Sequence, residues 1–332
     1  MMGTFRALFV EKEEDRCFTR VAAITEKDLP PGDVTIRVAY SGVNYKDGLA
    51  VRADGKIVSA YPFIPGIDLS GTVEQSADER FRVGDRVLVT GYGLGVSHFG
   101  GFSEAARVPG DWIVPVPDGL SLREAMIIGT AGFTAALSIE RLQDNGVQPG
   151  LGPVAVTGAT GGVGSMAVAL LASLGYEVAA GTGKPDAAGF LRELGAAAVL
   201  NREEIAGAVH KPLQKERWAG AVDPVGGPGL AGLLGAVRYG GAVAVSGLTG
   251  GAEVPATVFP FILRGVSLLG IDSVRCPHET RVRIWERLAR EWRPTGGYDR
   301  LVADEVGLDG LEQSLASIIG GESRGRVLVK IS

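Results

Sequence analysis

The sequence predicts an α/β protein of two domains, one built of short β-strands and one a doubly wound parallel sheet. Three observations carry this. The chain has 332 residues, too many for one ordinary core and comfortable for two. Its first third reads as short strands separated by Gly, Pro and Asp. From Pro153 onward, short apolar runs alternate with helical patterns, the grammar of a parallel sheet with helices on its faces.

In the strand-rich third, "FRALFV" and "VTIRVAYSG" come first. In the second of these, Val34, Ile36, Val38 and Tyr40 alternate with Thr35, Arg37 and Ala39. "SGTVEQ", "DRVLVTG", "FSEAARV" and "DWIVPVP" follow, which suggests a small barrel or sandwich. The pattern changes at "DGLSLREAMIIGTAGFTAALSIERL". There Ser121 and Glu124 have the spacing of a capping box, and apolar residues then recur at helical spacing.

The second domain follows element by element. "PVAVTG" is a strand and "GGVGSMAVALLASLG" a helix; "YEVAAGTG" is a strand, "AAGFLRELGA" a helix and "AAVLN" a strand. "WAGAVDPVGG" is a strand ending at Asp223, and "GLAGLLGAVRYGG" reads as a helix. "AVAVSG" and "VSLLGID" bring the strands to six. Then comes a helix over "ETRVRIWERLAREW", with Val282, Trp285, Leu288 and Ala289 on one face. A helix from about Leu308 to Ile319 and a strand "GRVLVKI" end the chain.

Bulk properties exclude several functions. The net charge is −5, which argues against nucleic-acid binding, since that needs a basic surface. Only Cys17 and Cys276 are present, too few for a disulfide framework or a four-cysteine zinc site, and a reducing cytoplasm fits best. The first residues turn acidic too soon for a signal peptide. The uncharged run from Asn145 to Tyr176 is broken by Pro149, Pro153 and "TGATGG", so no membrane span is expected there. Glycine is the outlier, 50 of 332 residues against a usual share of roughly 7%. Many glycines close apolar strands, where a backbone turns tightly or approaches a ligand.

"VAVTGATGGVGSMAVALLASLG" is the strongest local signal. A strand runs into a glycine-rich turn and a helix starts at once. Gly158, Gly161, Gly162 and Gly164 let the backbone approach a pyrophosphate, and the helix N-terminus offers it free N–H groups. Thr160 and Val163 lie in the same loop. This is a Rossmann dinucleotide site. An acidic residue that would hold a ribose 2′-hydroxyl is missing where the second strand ends. The chain reads Thr182, Gly183 and Lys184 there, and Asp186 comes too late. A 2′-phosphate suits Lys184 and Thr182, with Arg202 closing the pocket, so the expected cofactor is NADPH. The alternative for Lys184 and Arg202 is ordinary solvated loop charge.

The order of the two domains, with a C-terminal return to the first, resembles the medium-chain dehydrogenase/reductase superfamily. Within it, "NYKDGLA", "PFIPGIDLSGTV", "GGFSEAARV", "EAMIIGTAGFTAALSIERL", "TGATGGVGS", "WAGAVDPVGG" and "PFILRGVSLLGIDSV" closely resemble the NADPH-dependent acrylyl-CoA reductases of the quinone-oxidoreductase-like branch. The likeness covers almost the whole chain. It implies a GroES-like β-barrel catalytic domain over 1–125 and 276–332 and a Rossmann NADPH-binding domain over 126–275.

Zinc-dependent relatives write a cysteine in "GVC" and a histidine in "GHE". This chain has "SGVNYKD" and "PGIDLSG", with Asn44 at the cysteine, Ile67 at the histidine and Asp68 at the glutamate. Neither an amide nor an alkyl group replaces those zinc ligands, and no metal is expected. Carbonyl polarisation must then come from hydrogen-bond donors, which suits reduction of a C=C bond conjugated to a carbonyl.

The resemblance makes Asn44 and Asp68 candidate catalytic residues. Asn44 either donates to the carbonyl, orients the nicotinamide, or only caps a turn. Asp68 either orients Asn44 or Lys46, relays a proton, or is a structural ion-pair partner. Tyr45 is a candidate for cofactor contact and proton donation, or packs as an ordinary aromatic. His98 is either a donor to substrate or a mobile loop residue. Thr130 is expected by the nicotinamide or the phosphates. Gly247, Leu248 and Ser273 follow the last two strands at the ligand edge. Arg326 is a candidate phosphate contact. Arg52, Lys56, Arg264 and Arg275 are candidates for the phosphates of coenzyme A.

The expected reaction is reduction of acrylyl-CoA to propionyl-CoA. The alternatives are a zinc-free reductase of quinones or small enones, and a non-catalytic NADPH-binding protein. "VSLLGIDSV" reads as an apolar edge strand and predicts a homodimer.

Overall fold

The computed structural model describes residues 3–58 and 60–332. It contains two compact units. The first takes the chain through Thr130, then Val274–Ala289 and Val302–Ser332; the second takes Ala131–Ser273 and Arg290–Leu301. Residues 290–301 thus gather with the second unit, whereas the sequence places everything after 275 in the first. Within that unit Thr295 donates its N–H to Ser173 Oγ at 2.8 Å, while Trp292, Tyr298 and Leu301 are buried.

The first unit opens with an antiparallel hairpin, β1 (Phe5–Glu13) and β2 (Arg16–Ile24). β2 is not evident in the sequence, because an exposed Phe18 between Arg16 and Arg20, and Thr19 on the opposite face, blur its alternation. Next come β3 (Val34–Gly42), α1 (Tyr45–Ala50), β4 (Asp68–Ser76), β5 (Arg86–Thr90), β6 (Ala105–Val108) and β7 (Ile113–Pro115). Helix α2 (Leu122–Asp144) begins with the expected capping box. Ser121 N–H donates to Glu124 Oε2 at 3.0 Å, and Glu124 N–H to Ser121 Oγ at 3.1 Å. It is broken at Gly129, whose φ of 49° and ψ of −159° are not helical. Among the described residues α2 is the one helix long and apolar enough to cross a membrane, and most of it is buried as in a core helix.

The second unit holds β8 (Val154–Val156), α3 (Gly162–Ser173), β9 (Val178–Gly181), α4 (Ala188–Glu193), β10 (Ala198–Leu200), α5 (Arg202–Ala206), β11 (Trp218–Asp223), α6 (Gly227–Ala236), β12 (Val237–Val245), α7 (Phe259–Arg264) and β13 (Ser267–Gly270). Its six strands are all parallel, in the order β10-β9-β8-β11-β12-β13. This is the doubly wound order, with its switch point between β8 and β11. Helix α6 stops at Ala236, five residues before the expected end. Val237 is extended and Gly240 has φ +71°, so "VRYGG" starts β12 instead.

The chain ends with α8 (His278–Ala289), β14 (Val302–Val306), α9 (Leu311–Ile319) and β15 (Arg326–Lys330), all in the first unit. The large sheet there runs β14-β15-β3-β4-β5-β7, with β6 paired to the first half of β3. Its core joins Val34, Ile36, Val38, Leu69, Val87, Phe102, Leu311 and Val329. Each such side chain contributes roughly 1.5–3 kcal/mol by burial. Helix α8 buries Arg281 beside its apolar face, which the periodicity does not show.

The register of this sheet brings residues far apart in the chain to one point. Gly42, at the end of β3, pairs with Leu328 of β15, while Tyr40 pairs with Ser70 of β4. Both neighbours run antiparallel to β3. Arg326 and Asp68, each two residues upstream of those partners, therefore converge where β3 ends and Asn44 caps α1.

Candidate functional site

Asn44, Asp68, Thr130 and Arg326 meet at that point in one buried polar cluster. Asp68 is 0% exposed and Arg326 2%. The Asn44 amide donates to Asp68 Oδ2 at 2.8 Å and to Gly42 O at 3.2 Å. Thr130 donates its backbone N–H to Asp68 Oδ2 at 2.9 Å and its hydroxyl to Oδ1 at 2.5 Å. Arg326 donates Nε to Ile127 O at 3.0 Å, and Nη1 to Val43 O and Asn44 Oδ1, both at 3.1 Å. Its Nη2 stands 3.7 Å from Asp68 Oδ2. Both amide hydrogens of Asn44 are engaged, so none is spare for a substrate carbonyl.

A second carboxylate, which the sequence reading does not single out, supports this one. Asp47 is fully buried and accepts the N–H of Asn44 at 2.8 Å and of Ile67 at 2.9 Å. It ties the start of α1 to "PGIDLSG". The Asn-x-x-Asp spacing of a capping box is the sequence signal that marks it. Burial pushes the Asp47 carboxyl up to about 7, helped by the charge of Asp68 and opposed by the N–H groups of Asn44 and Ile67. Burial pushes the Arg326 guanidinium down, while Asp68 and Asp47 hold it up.

The glycines around the cluster are required. A Cβ on Gly129 would lie 2.8 Å from Arg326 Nη2, and one on Gly42 would lie 2.7 Å from it. In "PGIDLSG", Gly66 has φ +104°, and a Cβ would meet Phe102 N at 2.7 Å. Ile67 is buried beside it. Tyr45, the first residue of α1, is 39% exposed and is the open member of the group.

Arg326 is not placed to meet a phosphate, contrary to expectation: it is enclosed and three of its donors are spent. His98 is anchored rather than mobile. Its Nε2 lies 2.7 Å from Arg107 O and its ring packs edge-on to Trp112. Burial pushes its pKa down, against the lift of that hydrogen bond. Arg264 is likewise spent, on Gly235 O, Val237 O and Gln214 O. Arg52 pairs with its neighbour Asp54.

In the second unit the glycine-rich loop has the form a dinucleotide needs. Gly158 has φ +53°, Gly161 caps α3, and a Cβ on Gly164 would lie 2.7 Å from Ala159 Cα. Gly162 and Val163 form the first turn of α3, and both are half-buried. Thr160 and Thr182 bring their hydroxyls to 3.5 Å, and Lys184 N–H donates to Thr182 Oγ1 at 3.0 Å. A Cβ on Gly183 would lie 2.6 Å from Arg202 Cζ, so the guanidinium rests against that glycine. No acidic side chain closes β9. Hydroxyls, amides and cations make up this donor set, and they fit a dinucleotide that carries an extra phosphate.

Leu248 is 63% exposed in the loop after β12, and Ser273 is half-buried after β13. At the switch point Asp223 is buried at the end of β11. It accepts from Thr157 Oγ1 and, at 2.8 Å, from Gly226 N–H. Burial pushes its carboxyl up against those hydrogen bonds. Nothing in the periodicity marks the Thr157–Asp223 pair, because the two residues are far apart in the chain.

Residues 30–118 match the alcohol dehydrogenase GroES-like domain family, and residues 162–290 match the zinc-binding dehydrogenase family. An acrylyl-CoA reductase of Ruegeria pomeroyi is 51% identical over 330 residues, covering 99% of each chain. The chain belongs to the medium-chain dehydrogenase/reductase superfamily, in the branch that includes acrylyl-CoA reductases.

A putative quinone oxidoreductase of Bacillus subtilis from the same branch is 55% identical, covering 100% of each chain. Its solved structure, with NAD bound, superposes with a TM-score of 0.97 over 99% of this chain and 100% of that one. An Escherichia coli structure with NADPH bound is 48% identical, with a TM-score of 0.95 over 98% and 100%. The superfamily fold is therefore that of this chain: a GroES-like catalytic unit and a Rossmann sheet. Zinc, which the family description names, does not fit the residues present. Among the described residues no three of His, Cys, Asp and Glu gather to hold a metal. Asn44 and Ile67 are not zinc ligands.

Proposed function

We propose that this protein reduces the carbon–carbon double bond of acrylyl-CoA with NADPH, without zinc, giving propionyl-CoA and NADP. The observation that carries this reading is the buried polar cluster of Asn44, Asp68, Thr130 and Arg326, in which Asn44 and Asp68 take the sequence positions of the cysteine and the glutamate of zinc-dependent relatives. Identity of 48–51% along nearly the full length to acrylyl-CoA reductases of two bacteria supports it.

When bound, NADPH supplies the hydride that adds to the β-carbon; a proton then reaches the α-carbon. Thr160, Gly161, Gly162 and Val163 receive the pyrophosphate, and Thr182, Gly183, Lys184 and Arg202 receive the 2′-phosphate. Leu248 and Ser273 line the same ligand edge of the sheet. In the catalytic unit Tyr45 reaches outward and offers its phenol to the cofactor or the thioester carbonyl. Asn44 precedes it as the cap of α1 and is held by Asp68, to which Thr130 also donates. The protein works in the cytoplasm, a reducing compartment in which Cys17 and Cys276 form no disulfide. It works as a homodimer joined through β13.

Quinone reduction is the second reading, favoured by the name of the Bacillus subtilis relative. NADPH oxidation followed with acrylyl-CoA, crotonyl-CoA, free acrylate and a quinone separates the two. Acrylyl-CoA is expected to give the highest kcat/KM. A hundredfold preference for the quinone would overturn the assignment.

A further inference from the structure

We propose that Arg326 is a positioning residue for the reduction, its buried guanidinium fixing the Asn44 amide and the Asp68 carboxylate and, through them, the turn that presents Tyr45. This rests on the reaction proposed above, but the geometry behind it does not.

Both ends of the Asn44 amide are determined. Its oxygen accepts from Arg326 Nη1 at 3.1 Å and its nitrogen donates to Asp68 Oδ2 at 2.8 Å. The same Nη1 also holds Val43 O, the backbone one residue before Asn44, and Nε holds Ile127 O, three residues before Thr130. One side chain therefore grips both segments that clamp Asp68. Its Nη2 has no hydrogen-bond acceptor, and its nearest charge is Asp68 Oδ2 at 3.7 Å. A donor left unmatched in a buried site is costly unless it serves the local charge. Here that charge is Asp68, and the buried Asp47 adds to the field that keeps the guanidinium charged. Gly42 and Gly129 leave the space it occupies. A lysine would keep the charge but could not make three planar donations at these angles. An arginine in this slot does by charge and hydrogen bonds what a bound cation does by coordination: it fixes the ligand-bearing turns.

The test uses the full-length enzyme with Arg326→Lys, Arg326→Gln and the charge-matched double variant Arg326→Gln/Asp68→Asn. Three properties are measured: kcat and KM across pH with the acceptor that the unmodified enzyme reduces best, NADPH affinity, and amide hydrogen exchange of residues 42–48. Arg326→Lys is expected to fold and to bind NADPH within about twofold. Its kcat should fall at least tenfold with KM changed less than threefold, its pH profile should shift, and exchange at 42–48 should quicken while the rest of the chain stays protected. The double variant tests the case in which the single Gln variant fails to fold. It should recover folding without recovering kcat. If Arg326→Lys retains kcat, pH profile and exchange, the proposal is wrong. If the unmodified enzyme ignores acrylyl-CoA, only the substrate assignment falls. If it reduces nothing, unchanged exchange at 42–48 refutes the positioning role and faster exchange supports it.

Discussion

The fully buried Asp47 carboxyl has an asymmetric pH dependence. Its folded-state pKa, about 7, stands above the ordinary value of 3.8. Between those values the folded chain holds a proton that the unfolded chain has released. Its contribution to stability is therefore complete below pH 4 and is lost as pH rises through about 7. Asp47→Asn removes this dependence, but one of two backbone N–H groups loses its acceptor, at a cost of about 1–3 kcal/mol. In urea unfolding the variant should be less stable than the parent at pH 5. The gap should narrow or reverse at pH 8. A gap that stays constant between those two pH values would show that Asp47 does not titrate there.

At the scale of the elements, the loops after β9 and β10 decide which dinucleotide is held. Thr182, Gly183 and Lys184 end β9 without a carboxylate, and Arg202 at the start of α5 rests on Gly183. Arg202 is exposed, and its helix is capped independently by Asn201 and Glu204, so Arg202→Ala should leave folding intact. KM for NADPH is expected to rise about tenfold, the size of one charge-assisted contact of roughly 1.5 kcal/mol. KM for NADH should hardly move. An equal rise for both would place Arg202 away from the 2′-phosphate. This loop is legible in the sequence because its parts are local: strand, glycines, helix and the missing acid all fall within about 30 residues. The catalytic cluster is legible only in part. Asn44 and Asp68 stand out as replacements for metal ligands, but the partners of Arg326 lie 199 and 282 residues away. A lone arginine near the C-terminus gives no hint that its guanidinium is buried. Asp47 and Arg281 escape for the same reason, since a charged residue reads as solvent-facing until tertiary structure supplies its partners. "VRYGG" reads as helix only by continuation of the apolar run before it, although its two glycines and β-branched Val237 are poor helix formers.

At the scale of the whole molecule, the second unit ends in an unpaired edge. Among the described residues, β13 is the last strand of its sheet and bonds only to β12. Leu268 on this strand is 41% exposed, and Val258, Phe259, Ile262 and Leu263, on and just before α7, are between 45% and 68% exposed. An open edge and an apolar helix face so close in sequence are rarely left to water, because such a surface invites pairing. A second copy can add its own β13 antiparallel to this one across a two-fold axis, so that both copies bury the same patch. The homodimer proposed above is then a statement about these residues. Light scattering of the purified protein should give twice the mass of one chain. Ile262→Glu combined with Leu268→Lys puts charges on the patch without touching either candidate site. This variant should shift the mass to that of one chain, while NADPH binding stays within about twofold. A single-chain mass for the unmodified protein at micromolar concentration would refute the dimer. An unchanged mass for the double variant would mean that the chains join through another surface.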